Sequence, residues 1–185
     1  DLHGYVDKDG DGWRDMPDGS PLVLEYATSP SAADRELNEV WKKSMTAVGI
    51  QIVFKTAKWP ENLKASRAGK LMMWGLGNSA SSPDGGSFLD FGYGPQKFEG
   101  NLAAFQNDEF DRLYRQQVIL PDGPERLAII QKMVMILIAY MPYKFNTHRI
   151  RTDVMQPWLI GYRRHPTSRS FWRYVDIDTD KLPKS

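Results

Sequence analysis

Apolar positions in the first ninety residues alternate between two spacings, and this alternation predicts strands and helices in turn. Short apolar runs at 22–26, 50–55 and 71–74 have the length and the neighbouring turn residues of β-strands. Between them, 31–49 and 60–69 have the spacing and end signals of helices. The face of the first helix that we expect to be buried carries Leu37, Val40, Trp41, Met45 and Val48. The order strand–helix–strand–helix–strand implies right-handed crossovers and a largely parallel sheet.

The second half of the chain has a mainly helical pattern. One helix is predicted to begin at Asn107 or Asp108, because either side chain can cap it. A longer helix over 124–141 is apolar on nearly every side, and we expect it to be largely buried. The alternation at 143–150 and 170–177 is typical of extended segments.

A polar loop follows the third predicted strand, which we expect to lie buried in the middle of the sheet. The loop at 78–84 consists of small or polar residues, and the apolar residues at 88–91 indicate a short helix after it. Loops beyond the carboxyl ends of strands bind the ligands of open α/β folds. The ligand contacts that this placement predicts are Asn78, Ser79, Ser81 and Ser82.

Two neighbouring residues complete the predicted site. Asp84 lies at the start of the short helix, where a carboxylate is stabilised by the N–H groups and the dipole of the helix. Capping is therefore its main predicted role. Trp74 precedes the loop, and for this residue a wall of the site and a place in the core are equal alternatives.

Composition excludes several classes of protein. The formal net charge of the 185 residues is +1, which does not favour a nucleic-acid partner. There is no cysteine, so disulfides, thiolate metal sites and cysteine nucleophiles are excluded. The longest apolar run, 133–141, is too short to cross a bilayer, and we expect no membrane insertion by this chain. Since the chain opens without an initiator methionine, we expect it to be a fragment of a longer protein.

The sequence has no pattern of residues typical of an enzyme. It lacks a G-x-S-x-G motif, and its histidines lack the spacing of metal ligands. Residues 75–80 match the dinucleotide motif G-x-G-x-x-A, but the polar loop follows where that motif requires a helix. These observations favour a binding protein over an enzyme.

An acidic segment at 7–19 has the spacing of an EF-hand calcium loop. The carboxylates in this register are Asp7, Asp9, Asp11, Asp15 and Asp18. Asp-Gly-Asp-Gly is also ordinary turn chemistry, and a structural turn is our main interpretation. The alternative is a bound calcium ion, and with it a calcium-stabilised structural or protein-interaction module. No other cofactor is predicted.

Several short motifs follow one another in a specific order along essentially the whole chain. They are the DGDG loop, LVLEYAT, WKKSMTAVGIQIVFKTAKW, SRAG at 66–69, SPDGGSFL at 82–89, NDEFD at 107–111, LPDGPER at 120–126 and QPW at 156–158. In this order they resemble the C-terminal lobe of family 5 extracellular solute-binding proteins. These are the dipeptide, oligopeptide and nickel receptors of bacterial ABC importers.

The resemblance implies a periplasmic-binding-protein-like lobe, an α/β fold with a central, largely parallel or mixed sheet flanked by helices. Residues 1–150 would form the ligand-binding lobe, and 151–185 an extension that returns towards an absent second lobe. It further implies capture of a small polar solute or peptide between two lobes, with ABC permease subunits as partners. The location implied is periplasmic or extracytoplasmic, with or without a membrane anchor.

The polar loop departs from the motif of the family that the chain resembles. Family members commonly carry Trp-x-Ala-Asp-Tyr-x-Asp here, and its first Asp pairs with the α-ammonium group of a peptide. In this chain only Ala80 and Asp84 keep the pattern, and Ser81 stands at the ammonium-binding position. Serine cannot supply the charge of a carboxylate, so the loop favours a polar or carboxylate-bearing ligand.

Overall fold

The computed structural model describes residues 1–144, 150, 152–165 and 170–183. The chain forms two compact units, Asp1–Gly77 and Asn78–Ser185. The boundary that the sequence predicts at residue 150 stays a prediction.

The first unit contains a parallel sheet and two helices. Its elements are β1 (Val23–Thr28), α1 (Ala32–Thr46), β2 (Gln51–Thr56), α2 (Trp59–Arg67) and β3 (Met73–Trp74). The strand order is β2-β1-β3, and β1 pairs in parallel with both neighbours. Ser31 caps α1 by accepting the N–H of Asp34 at 3.0 Å. The predicted α/β class with a largely parallel sheet is confirmed.

β3 does not lie in the middle of the sheet, and that prediction is wrong. It is two residues long and pairs with β1 alone among the described strands, so it lies at one edge. Met73 and Trp74 are half-buried rather than enclosed on both faces. Glycines at 75 and 77 end the apolar run early, and the central position belongs to β1.

The buried face of α1 also differs from the prediction. Val40 is 62% exposed, whereas Asn38 is buried. The sheet is contacted instead through Trp41, whose ring centroid lies 6.1 Å from that of Tyr26. Apolar spacing alone did not predict which face of α1 is buried, because the face that packs on the sheet includes the polar residue Asn38.

The second unit is mainly helical, as predicted. Its helices and strands are α3 (Asp108–Val118), α4 (Pro124–Tyr140) and the antiparallel pair β4 (Leu159–Ile160) and β5 (Asp176–Ile177). A 3₁₀ segment at Gly86–Gly92 is followed by shorter ones at Gly94–Gln96, Trp172–Tyr174 and Thr179–Lys181. Asn107 caps α3 by accepting the N–H of Phe110 at 2.8 Å. The predicted strand at 143–150 falls mostly on residues 145–149, outside the described residues.

The core of the second unit lies between α3, α4 and the first 3₁₀ segment. It consists of Leu89, Phe110, Leu113, Ile130, Met133 and Leu137. Only one stripe of α4 is therefore buried, and the prediction of a largely buried helix is wrong. Met135 on the opposite side is 63% exposed, because the core that α4 joins, within the described part of the chain, lies on its other side. Within the described residues, no helix has the length and apolar character needed to cross a membrane.

Candidate functional site

The parallel strands β1 and β2 have their carboxyl ends side by side, where Thr28 lies beside Thr56. The amide of Asn62 donates to the carbonyl oxygen of Thr28 at 2.9 Å, and the amide of Asn38 donates to the Thr28 hydroxyl at 3.1 Å. All three residues are buried. These satisfied polar groups hold the middle of α1 and the start of α2 against the carboxyl end of β1. No sequence pattern distinguished the two asparagines from solvated helix residues.

Trp74 lies at the carboxyl end of β3, where it is half-buried and pairs with Ala27 of β1. This placement is compatible with both roles predicted for its side chain. A contact of Trp74 with a ligand stays a prediction.

The polar loop Asn78–Asp84 opens the second unit. Asn78, Ser79 and Ser81 are exposed, whereas Ser82 is half-buried. The Ser81 N–H donates to the Ser87 hydroxyl at 3.2 Å, which connects the loop to the 3₁₀ segment. The loop thus presents neutral donors and acceptors to solvent. That these groups bind a ligand stays a prediction.

Asp84 is half-buried, and its carboxylate accepts from several donors. Oδ1 accepts the Ser82 hydroxyl at 2.7 Å and the Gly86 N–H at 3.0 Å. Gly86 begins the 3₁₀ segment, so this second bond is in accordance with the predicted capping role. Oδ2 forms an ion pair with Arg126. The Ser82 hydroxyl, the Gly86 N–H and the Arg126 charge lower the pKa of Asp84 from its ordinary value of 3.8.

Arg126, in the first turns of α4, is a residue that the sequence analysis did not single out. Its side chain is 17% exposed and also contacts Asp122 at 2.7 Å. Its Nε donates to the backbone and side-chain oxygens of Gln117, both at 3.2 Å. Because Arg126 and Asp84 are 42 positions apart, no local pattern could have paired them.

A cavity of about 580 Å³ adjoins the half-buried end of the loop. Its wall consists of Ser82, Pro83, Asp84, Val118, Leu120, Asp122, Gly123, Arg126 and Leu127. Apolar side chains from the end of α3 and the start of α4 face the polar residues of the loop. The predicted loop is therefore solvent-exposed and lies beside a concave surface.

Part of the acidic segment also converges. Carboxylate oxygens of Asp7, Asp9 and Asp15 lie within 4.8 Å of one another. Asp7 accepts the N–H groups of Gly10 and Gly12 at 2.7 and 2.9 Å, as in a turn. The two remaining predicted carboxylates belong to local turns: Asp11 accepts the Trp13 N–H, and Asp18 accepts from Ser20.

Comparison with known proteins relates the chain to binding proteins of bacteria. No family model matches the chain. A di/tripeptide-binding protein of Pseudomonas aeruginosa is 25% identical over 161 residues, which are 85% of this chain and 30% of that protein. Heme-binding protein A of Haemophilus influenzae is 23% identical over 159 residues, 85% of this chain and 28% of that protein.

Solved structures share the fold. The oligopeptide-binding protein AppA of Bacillus subtilis, in complex with a nonapeptide, matches 95% of this chain with a TM-score of 0.77 and 20% identity. Haemophilus influenzae OppA, in complex with the peptide RPPGFSPFR, matches 85% with a TM-score of 0.70 and 18% identity. The chain covers 35% and 31% of those proteins. The chain is thus similar to family 5 solute-binding proteins over part of their length.

The predicted resemblance and the predicted fold are therefore confirmed. The chain spans about 30% of the length of the curated relatives that it matches.

Proposed function

We propose that this chain is the C-terminal lobe of the substrate-binding component of a bacterial ABC importer, without catalytic activity of its own. It captures a small polar solute or a peptide in a cleft that a second lobe completes. Ligand would stabilise the closed form by contacting both lobes, which is a shift of a hinge equilibrium. ABC permease subunits are its partners, in the periplasm or outside the cytoplasm, with or without a membrane anchor.

One observation carries this proposal: a polar loop, exposed at 78, 79 and 81, adjoins a cavity through its half-buried end in a chain similar to binding proteins. The names of the relatives support ligand capture, since two of them are described with di/tripeptides and with a nonapeptide. The loop supports a ligand with neutral polar or carboxylate groups, because Asp84, its one charged residue, is paired with Arg126.

The full-length gene product is the protein in which to test the proposal. Trialanine, N-acetyl-trialanine and stachyose serve as probes of a free amine, a blocked amine and a neutral polyol. We expect at least one probe to raise the melting temperature and to give a calorimetric binding isotherm. The combined replacement N78A/S81A should weaken that binding about tenfold, through the loss of hydrogen bonds to ligand.

The matched control is Ser44→Ala, at an exposed serine on α1 whose hydroxyl bonds its own helix at Val40. It should bind as the unaltered protein does. The proposal is contradicted if no probe binds, or if N78A/S81A binds every probe with unchanged affinity.

The 185-residue chain by itself should bind the same probes far more weakly, because the second lobe would supply part of the contacts. Calorimetry of the isolated chain is the measurement. Micromolar binding by the chain alone would show that it contains the whole site.

A calcium-stabilised structural module is the second candidate, favoured by the convergence of Asp7, Asp9 and Asp15. It requires that millimolar calcium raise the melting temperature of the isolated chain and that Asp9→Asn abolish the shift. Magnesium at equal concentration is the control for ionic strength. A melting temperature indifferent to calcium would reject this candidate.

A further inference from the structure

We propose that Arg126 is the positioning residue of the polar loop. Its guanidinium pairs with Asp84, the only carboxylate of the loop, so that this carboxylate does not contact the ligand. This inference rests on the proposed function, because it concerns the same loop. Arg126 lies in α4, 42 positions after Asp84, and it determines the conformation of residues 81–84.

The guanidinium of Arg126 is held on both sides. One side contacts Asp84, and the other donates from Nε to Gln117, which is 3% exposed in α3. An arginine fork bound to two separate elements has little freedom to turn. The carboxylate of Asp84 therefore occupies a place that the α3–α4 pair determines.

Asp84 in turn orders the loop. The same carboxylate accepts the hydroxyl of Ser82 and the N–H of Gly86, on either side of it in the sequence. Releasing the carboxylate from Arg126 would loosen both bonds, and with them the bend that presents Ser81.

Gly86 gives independent support. It is buried, and a β-carbon built at this position would lie 2.7 Å from Nη2 of Arg126 and 3.2 Å from Oδ1 of Asp84. The backbone therefore has no side chain at the place where the guanidinium contacts it. Glycine at position 86 makes room for this ion pair.

The pairing also limits the charge that the loop offers. Asp84 is the only ionisable residue in 78–84, and Arg126 compensates its charge. A cationic group of a ligand would find no uncompensated carboxylate on this loop. The loop consequently selects through neutral hydrogen-bonding groups, and Arg126 determines part of that selectivity.

Hydrogen exchange of the 185-residue chain, read by mass spectrometry, tests the inference without any ligand. In R126Q, exchange of the peptides covering 79–92 should accelerate about tenfold, the effect expected for losing a charged hydrogen-bonded partner. D84N should accelerate the same peptides, and the double variant R126Q/D84N no more than either single one. R126K, which keeps the charge and loses the fork, should lie between R126Q and the unaltered chain.

Two controls separate positioning from general stability. I130A weakens the core of the same unit and should accelerate exchange in α3 and α4. R126Q should instead accelerate exchange mainly in the peptides covering 79–92. D122N removes only the outer, 95% exposed partner of Arg126 and should leave 79–92 unchanged. The inference is overturned if R126Q leaves 79–92 unchanged, if it reproduces the pattern of I130A, or if R126Q and D84N act additively.

Because this readout needs no ligand, its failure and the failure of the proposed function are distinguishable. Accelerated exchange with no probe bound would retain the ion-pair role and reject the binding role. Probe binding with unchanged exchange would do the reverse.

Discussion

At position 75 the first unit requires a residue without a side chain, because the Tyr26 hydroxyl occupies the space of a β-carbon there. Tyr26 is 8% exposed, and its ring packs against those of Trp41 and Phe54, which oppose a movement of its hydroxyl away from position 75. At Gly77, two residues later, a β-carbon would have no neighbouring atom within 4 Å. The apolar run before the loop therefore ends for a steric reason that composition alone does not show.

Gly75→Ala should consequently lower the free energy of unfolding by about 1–3 kcal/mol, the usual range for overpacking. Gly77→Ala is the matched control and should change it by less than about 0.5 kcal/mol. Denaturant unfolding measures both. Adding Tyr26→Phe should recover part of the loss in the Gly75→Ala background, and equal effects of the two alanines would contradict the explanation.

Asp84 leads to a pH-dependent prediction at the same scale. Its pKa is lowered in the folded chain by Ser82, Gly86 and Arg126, so its stabilising contribution is present at neutral pH. That contribution is lost as pH falls through the folded pKa, below 3.8. Asp84→Asn should therefore lower the free energy of unfolding by about 1 kcal/mol at neutral pH and by less near pH 3, which lies below the ordinary pKa of 3.8.

Denaturant unfolding at the two pH values is the measurement for Asp84→Asn. In the part of the chain that the structure describes, the charged groups facing Asp84 are Arg126 and, beyond it, the exposed Asp122. Asp122→Asn is the control for the outer carboxylate and should have little effect. A difference in stability between the unaltered chain and the Asp84→Asn variant that persists unchanged in acid would contradict the assignment.

Helix α4 shows what an apolar pattern can and cannot indicate at the scale of elements. Its bounds and its Pro124 start follow from breaker and capping rules, as do those of α1, α2 and α3. Its burial does not, since a helix that is apolar all round gives no sign of which side has a neighbour. For the same reason, the length of β3 and its place at the sheet edge depended on partners that local sequence does not specify.

Two methionines on α4 test this one-sided packing. Met133 is fully buried and Met135 is 63% exposed. Met133→Ala should lower the free energy of unfolding by about 2–5 kcal/mol, whereas Met135→Ala should be nearly neutral. Denaturant unfolding of the isolated chain is the measurement. A comparable loss in both variants would mean that the outer side of α4 is covered in this chain.

For the whole molecule, the ordered motifs predicted the α/β lobe and its relatives, and each motif alone would not have done so. Helices, strands and turns are specified by neighbouring residues, whereas the contacts of the site join distant segments. Arg126 with Asp84, and Asn62 with Thr28, are such long-range pairs. The sequence therefore indicated the loop and its neutral character but not the residues that hold it.

Ser81 permits a test of specificity in the full-length gene product. Ser81→Asp should strengthen binding of trialanine about tenfold, through a charge-assisted bond to its free amine. N-acetyl-trialanine should gain nothing, because it carries no ammonium group. Ser79→Asp is the matched control, and calorimetry is the measurement. An equal gain for both peptides, or for both variants, would place the amine elsewhere.

The bare backbone at Gly86 has an evolutionary consequence. A methyl group there would displace the guanidinium, and loss of the guanidinium would leave Asp84 unbalanced. Positions 84, 86 and 126 should therefore change together across descendants of this gene. Lineages that enlarge residue 86 should also have lost the arginine, and a different contact would then hold residues 81–84 in place.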